Sequence, residues 1–431
     1  MSRKIGFTKA TSLVAGNMLG SGVLLAPAIL APYGNWALWG WIITSIGALA
    51  LAIVFAKLSQ WIPKNGGPYS YAYEVFGPFI GFQMAWGYWI STWCGSASLV
   101  IGTIQYLSLF TPQISPTFSI LIGLSLIAFF TYINTRGIGV STSMETVIVL
   151  FKTIPLMLIS IVGIFFIDHV PDFTTLPSLP DGVSIGMMAP TLLWAFIGVE
   201  SATIPVAEIE NPTKNIVRAT VCGVLITAII YIASCVVITA VLTPTELAAS
   251  KAPFVEAARK LFGPIAGWIM AITGIIGVAG SLNGWTLIQG YVPQAAAKEK
   301  LFPEFFARSN RHNAPAGVWV GSLCMSALFL ATYQESVNAQ INILIDLSVF
   351  AMLIPYFYAV IAALIIFLKE KKYVSEKRLL LVSTALFVAI AYSASAIIFS
   401  GKDLIFQGFI MFLLSVPCYL LVYPRTQKSS S

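Results

Sequence analysis

The sequence predicts an all-α integral membrane protein of about twelve transmembrane helices. Three observations predict it. Apolar stretches of spanning length follow one another along nearly the whole chain, Lys and Arg gather in alternate linkers, and two of the spans, the first and the sixth, are broken in the middle by glycine and proline.

Composition carries the first observation. Of 431 residues, 58% are hydrophobic and 10% charged, against about 25% charged in soluble domains. So much apolar surface cannot be enclosed in one water-soluble core, whereas a bilayer solvates it directly. A spanning helix needs about 20 mostly apolar residues. Such spans fall at 7–31, 36–61, 79–110, 118–134, 144–167, 187–208, 215–243, 264–292, 316–332, 341–367, 378–399 and 403–423, with 168–186 and 244–263 as the longest polar linkers. The first span is followed closely by another and is expected to stay in the mature protein.

The net charge of +7 does not indicate nucleic acid, because the basic residues sit in short loops and form no stripe with interleaved aromatics. The five cysteines, Cys94, Cys222, Cys235, Cys324 and Cys418, lie in or beside apolar spans without metal or redox spacing. No metal site and no cofactor is expected.

Orientation follows from the positive charges. With the N-terminus in the cytoplasm, 19 of the 24 Lys and Arg fall in cytoplasmic segments. The outer loops hold four, Lys251, Arg259, Lys260 and Lys402, and Lys152 is left inside a span. Both termini are then cytoplasmic and the protein is multi-pass in the cell inner membrane. The even span count is supported too, since a missed helix would scramble the asymmetry.

The broken spans are the first, with Gly16-Asn17-Met18-Leu19-Gly20-Ser21-Gly22 and then Pro27, and the sixth, with Trp194 to Ser201 between Pro190 and Pro205. Non-helical backbone at membrane depth survives only where protein buries it or a cavity is lined by it. Interrupted helices at matching positions of two five-helix halves point to a transporter built from inverted repeats. Repeat one is 7–167, repeat two is 187–367, and two additional C-terminal helices cover 378–423, all in a single membrane transport domain.

Several residues carry candidate chemistry. The Gly20-Ser21-Gly22 backbone opens a helix whose free N–H groups suit a substrate carboxylate, with the Ser21 hydroxyl as a further donor; a small-residue packing motif is the alternative. Carbonyls near Met18 and from Trp194 to Ile197 would accept from a substrate ammonium. Glu200 lies mid-membrane, where ionisable residues are costly, and reads as a proton-sensitive gate or as a carboxylate tying down loose backbone. Lys152 reads as a fixed charge, a proton carrier, or a snorkelling side chain. In span three Tyr88, Ser91, Thr92 and Ser96 form one polar stripe that should face the bundle, for a pocket or for interhelical hydrogen bonds. Trp285, mid-span, would stack on a cation or serve as core. Asp346 and Ser348 are about 200° apart on a helix, so only one can face a pocket squarely.

With these residues in place, the chain resembles the bacterial basic amino acid/polyamine antiporters of the amino acid–polyamine–organocation superfamily, and within them the arginine/agmatine antiporters. The resemblance spans nearly the whole chain. It is carried by Gly16 to Gly22, Gly66-Gly67-Pro68-Tyr69-Ser70-Tyr71-Ala72, Trp194 to Ser201, Asn211-Pro212-Thr213-Lys214-Asn215, Gly280-Ser281-Leu282-Asn283-Gly284-Trp285-Thr286 and Leu301-Phe302-Pro303. It implies a LeuT-type fold with discontinuous helices 1 and 6. It further implies that Asn17, Met18, Ser21 and Gly22 bind the substrate backbone together with Trp194 and Ile197, that Trp194 and Trp285 pack on its aliphatic and cationic parts, and that Ser91, Thr92, Ser96 and Ser348 line a distal pocket. Tyr88 and Trp285 look like gating aromatics, Tyr69 and Glu200 like pH-sensing positions. The departures are Ser91, Thr92 and Ser96 where those antiporters carry Ala-Cys and then Asn, which leaves arginine specificity open, together with Lys152 and Asp346.

The expected function is alternating-access exchange of an amino acid, basic or otherwise, for a related amino acid or amine. Its partners are that small solute, protons, the lipid bilayer and, as an open assembly, a second copy of the chain. The nearest alternative is a proton-coupled importer using Lys152; a non-transporting amino acid receptor is a more distant one. No nucleophile–base pair, metal cluster or phosphate loop suggests an enzyme.

Overall fold

A computed structural model of the chain describes residues 4–111, 113–167, 172–179, 183–332, 337–370 and 376–428; the side chains of Ser21 and of 337–343, 370, 376–378 and 423–428 lie outside that description. Among the described residues there is no β-ladder, only isolated bridges at Ile5–Ile209 and Ser309–Pro315. Among the described residues, nine helices are long and apolar enough to cross a membrane. Three further apolar helices complete the expected twelve: the 30-residue helix carrying the polar stripe, and the shorter Ile185–Phe196 and Gly317–Thr332 segments.

The first span is two helices, α1 (Phe7–Met18) and α2 (Ser21–Ile29), followed by α3 (Trp36–Trp61). A short α4 (Pro68–Phe76) leads into α5 (Pro78–Leu107), then α6 (Pro116–Thr135) and α7 (Ile138–Met157). The sixth span contributes α8 (Met188–Phe196), and α9 (Pro212–Val241) is the seventh. Next come α10 (Pro244–Ala249), α11 (Pro253–Phe262), α12 (Pro264–Lys298) and α13 (Gly317–Thr332). The chain closes with α14 (Val337–Glu370), α15 (Glu376–Ile398) and α16 (Lys402–Lys428). Proline stands at the first position of many of these helices, where its missing N–H costs nothing and its fixed φ suits the helix.

At the centre α5 packs along α12 and α14, while α1 is held by α9 and α7. The outward faces of α6, α7, α15 and α16 present large apolar side chains such as Leu121, Phe151, Phe387 and Leu414. Such a continuous apolar exterior is out of place in water and suited to lipid.

The largest differences from the sequence expectation lie in the fifth span, the sixth span and the linker 244–263. The fifth span starts at Ile138 rather than 144, because Gly137, at φ 93°, makes the turn and the Ser/Thr-rich stretch after it is already helical. It ends in a π turn at Leu158–Val162 just after Pro155, which lacks the N–H that an α-helix needs there. The sixth span, expected over 187–208, is α-helical only to Phe196 and continues as 3-10 turns at Ser201–Thr203 and Val206–Glu208. The linker 244–263 folds into α10, started by a Thr243/Glu246 capping box, and α11.

Candidate substrate site

The two broken spans meet. After Met18 the backbone leaves the helix at Leu19 (φ −76°, ψ 58°) and restarts at Ser21. After Phe196 it turns extended at Ile197 (ψ 130°), and Gly198 takes φ 112°. Gly198 is required twice over: its φ disfavours any side chain, and a Cβ there would lie 2.8 Å from Asn17 Cβ. The close approach lets Asn17 Nδ2 donate to Ser201 Oγ at 2.8 Å. On α2, a Cβ on Gly22 would come within 3.0 Å of Ala195 Cα, so glycine also lets the second half of span one lie on α8.

Between the breaks lies a small cavity. One wall is Asn17, Met18, Gly20 and Gly22 of the first span; a second is Ser91, Thr92, Gly95 and Leu99 of α5. Trp194 and Ile197, Trp285 of α12 and Ser348 of α14 close it. None of the described residues lining it is charged. Among the described residues no group of three His, Cys, Asp or Glu side chains is placed to hold a metal ion.

Nine of the eleven expected binding residues come together here. The Ser21 side chain lies outside the described residues. Ser96 does not line the cavity: it is fully buried and its hydroxyl has no partner. The reason is angular. At 100° per residue the cavity-facing residues of α5, Ser91, Thr92, Gly95 and Leu99, span about 100° of the helix, and Ser96 lies about 40° beyond Thr92 at their edge. Gly95 and Leu99 were not expected from the sequence. A Cβ on Gly95 would meet Ser348 Oγ at 2.7 Å, so glycine is what brings α14 against α5.

The polar atoms of the wall are already bonded in a particular sense. Ser91 Oγ donates to Ser348 O at 2.8 Å, Ser348 Oγ donates to Ser91 O at 2.9 Å, and the two hydroxyl oxygens stand 3.1 Å apart. Thr92 Oγ1 donates to Trp89 O at 2.6 Å, and Trp285 Nε1 donates to Asn17 O at 3.3 Å. Asn17 Oδ1 has no donor.

The carbonyls expected to be free are partly occupied. Tyr231 of α9 reaches both Met18 O (2.7 Å) and Ala195 O (2.8 Å). Its single proton serves one of them at a time, so it joins the two helix ends. Glu200, fully buried, accepts from the hydroxyls of Tyr88 and Tyr356, and Tyr356 Oη accepts from Gly198 N at 3.3 Å. Its carboxylate thus links α5, α14 and the second break. Tyr69 is buried in α4 against Gly66, away from the cavity. Lys152 does not snorkel: Nζ donates to Gly16 O at 2.7 Å and to Ser281 Oγ at 3.0 Å, joining α7 to α1 and α12. Asp346 is exposed whereas Ser348 faces the cavity, as their angular separation requires. Sequence reasoning missed Tyr231, Tyr356 and Ser281 as contributors; a polar residue amid an apolar span was the available signal.

Comparison with known proteins adds to this geometry. The family model for amino acid permeases matches residues 5–428. The putrescine transporter PotE of Escherichia coli K12 is 32% identical over 437 residues, covering 98% of this chain and 97% of that one. The cadaverine/lysine antiporter of the same strain is 32% identical over 368 residues, 83% of this chain and 82% of that one. The Haemophilus influenzae PotE is 32% identical over 434 residues, 97% of each.

Proposed function

This chain belongs to the amino acid permease family, and we propose that it exchanges an amino acid bearing a terminal ammonium for the corresponding primary diamine by alternating access. It is a multi-pass membrane transport protein and not an enzyme. The observation that carries the substrate class is the sense of the hydrogen bonds in the cavity wall. Ser91, Ser348 and Thr92 each direct their one proton at a backbone carbonyl, so the oxygens turned to the cavity are acceptors. An ammonium is a pure donor with three N–H groups, and the faces of Trp194 and Trp285 add cation–π attraction. A side chain ending in a carboxylate would have to draw one of these hydroxyl protons away from its carbonyl. At the other end the N-terminal turn of α2 suits the α-carboxylate, with Ser21 as a further donor. The substrates in the relatives' names, putrescine, cadaverine and lysine, share the terminal ammonium.

Met18, Ile197 and the Asn17 carboxamide would accept from the α-ammonium, while Tyr88, Trp285 and Glu200 would act as gates and Tyr69 as a pH-sensing position. Repeats 7–167 and 187–367 would rock about the breaks, with 378–423 outside them. Both termini would be cytoplasmic in an inner membrane, given the 19-to-4 distribution of positive charge. A second reading, proton-coupled uptake, is favoured by the burial of Lys152 against the first break.

The test is labelled lysine uptake into proteoliposomes that are empty or loaded with cadaverine or putrescine. Uptake that depends on a loaded lumen is expected. Uptake only into empty vesicles under a proton gradient would favour the second reading, and no transport of any amino acid or amine would refute both.

A further inference from the structure

Glu145 stands two turns into α7, fully buried. No role falls to it in the exchange described above. It precedes Lys152 by seven residues, which places the two on one helix face about 10.5 Å apart along the axis. Both side chains converge on Gly16. Lys152 Nζ donates to Gly16 O at 2.7 Å, and a Cβ on Gly16 would lie 2.9 Å from Glu145 Cδ.

The carboxyl is half satisfied. Its Oε2 accepts from Asn283 Nδ2 at 2.8 Å, and its Oε1 has no partner. From Asn283 a buried polar chain continues toward the end of the bundle that carries the N-terminus. Asn283 Nδ2 also donates to Ser141 O (2.9 Å), Ser141 Oγ donates to Asn134 Oδ1 (2.8 Å), and Asn134 Nδ2 donates to Asn283 O (3.1 Å). Near that end Lys9 Nζ donates to Ser143 Oγ at 2.7 Å.

Lys152 is the one charged group among the described residues that faces Glu145. The others on the elements packed against α7 sit near helix ends: Lys9 on α1, Arg136 on α6, Lys214 and Arg218 on α9, and Lys298 on α12. A carboxylate oxygen without a donor in such surroundings is costly when ionised. A carboxyl retained there, aimed at the same backbone turn as a buried ammonium, suits a group that changes its proton.

We infer that Glu145 is a proton-binding residue of the transport cycle, standing between Lys152 and the end of the bundle that carries the N-terminus. When the first break moves, a proton passes from Lys152 Nζ to Glu145 Oε1. A neutral amine and a neutral carboxylic acid remain. The acid then yields the proton to water entering along Asn283, Ser141 and Asn134, and the return of a proton to Lys152 resets the pair. This rests on the second, proton-coupled reading above and not on which amine is carried.

The test uses the full chain in proteoliposomes containing a trapped pH dye, with lysine and cadaverine as probes. Lumenal pH change on adding lysine and labelled lysine/cadaverine exchange are measured in parallel for wild type, Glu145→Gln and Glu145→Asp. Glu145→Gln is expected to slow proton movement about a hundredfold, the scale of one positioned acid–base group, while exchange persists; Glu145→Asp restores proton movement. Proton movement by Glu145→Gln at the wild-type rate would overturn the inference. So would loss of exchange and proton movement together in both variants, which would mark a structural role, or wild-type exchange without any proton movement. That last result would leave the exchange reading intact, whereas absence of exchange in wild type would sink it separately.

Discussion

Replacing Ser348 by alanine tests the acceptor wall most directly. In the wild type Ser348 Oγ donates to Ser91 O at 2.9 Å and leaves its lone pairs toward the cavity, 3.1 Å from Ser91 Oγ. The substitution would remove one acceptor from the proposed terminal-ammonium subsite. A hydrogen bond to a charged group contributes about 1.5–3 kcal/mol, and 1.4 kcal/mol is a tenfold change in affinity. Half-saturation for lysine or cadaverine should therefore rise about 10- to 100-fold. The loss should be confined to substrates with a terminal ammonium, because the proposed α-carboxylate and α-ammonium subsites are at the helix breaks. Ser91→Ala should behave alike, and the double variant should lose less than the sum, since the two hydroxyls form one reciprocal pair. The assay is concentration-dependent uptake of labelled lysine and of a neutral amino acid into amine-loaded vesicles. Equal losses for both solutes, or no loss for lysine, would refute the donor–acceptor argument.

Three further outcomes are expected. Gly198→Ala should destabilise the protein by about 1–3 kcal/mol from backbone strain alone, read as a lowered melting temperature with loss of uptake; an unchanged melt would mean that the break tolerates a Cβ against Asn17. Tyr231→Phe removes the shared donor of the Met18 and Ala195 carbonyls; Met18 O keeps the Gly20 N–H at 2.8 Å, so the loss falls on Ala195 O, at about 1–3 kcal/mol for a buried unsatisfied group. Uptake should fall about tenfold, and wild-type uptake would show that the clamp is dispensable. Glu246, exposed between α9 and α11, is held at about 2 by Lys260 and by the Thr243 cap. Because its folded value lies below its ordinary carboxylate value of 4.5, its contribution is present above about pH 4.5 and fades as pH falls toward 2. Glu246→Ala should therefore flatten the melting profile across that window, and an unaltered profile would exclude the pair as a source of acid sensitivity.

Much of this protein was determined by its sequence alone, because a bilayer imposes rules that are local along the chain. Spanning helices need apolar runs of set length, which located the spans and marked Gly16 to Gly22 and Trp194 to Ser201 as breaks. A polar stripe on an apolar helix has to turn inward, which brought Ser91 and Thr92 to the cavity wall. Tertiary structure decided what depends on how two distant segments approach. Ser96 shares the stripe by spacing, yet it falls outside the cavity because the line of α5 that faces inward is centred on Ser91 and Gly95. The Met18 carbonyl looked free from helix geometry, and Tyr231, more than two hundred residues away, covers it. Glu145, next to the expected start of span five at 144, drew no attention in the sequence; with the helix beginning at Ile138 it lies two turns inside it and is buried. Its burial follows from Gly16 and Gly284, which let α1, α7 and α12 close together, and no periodicity in one segment encodes how near a second will come.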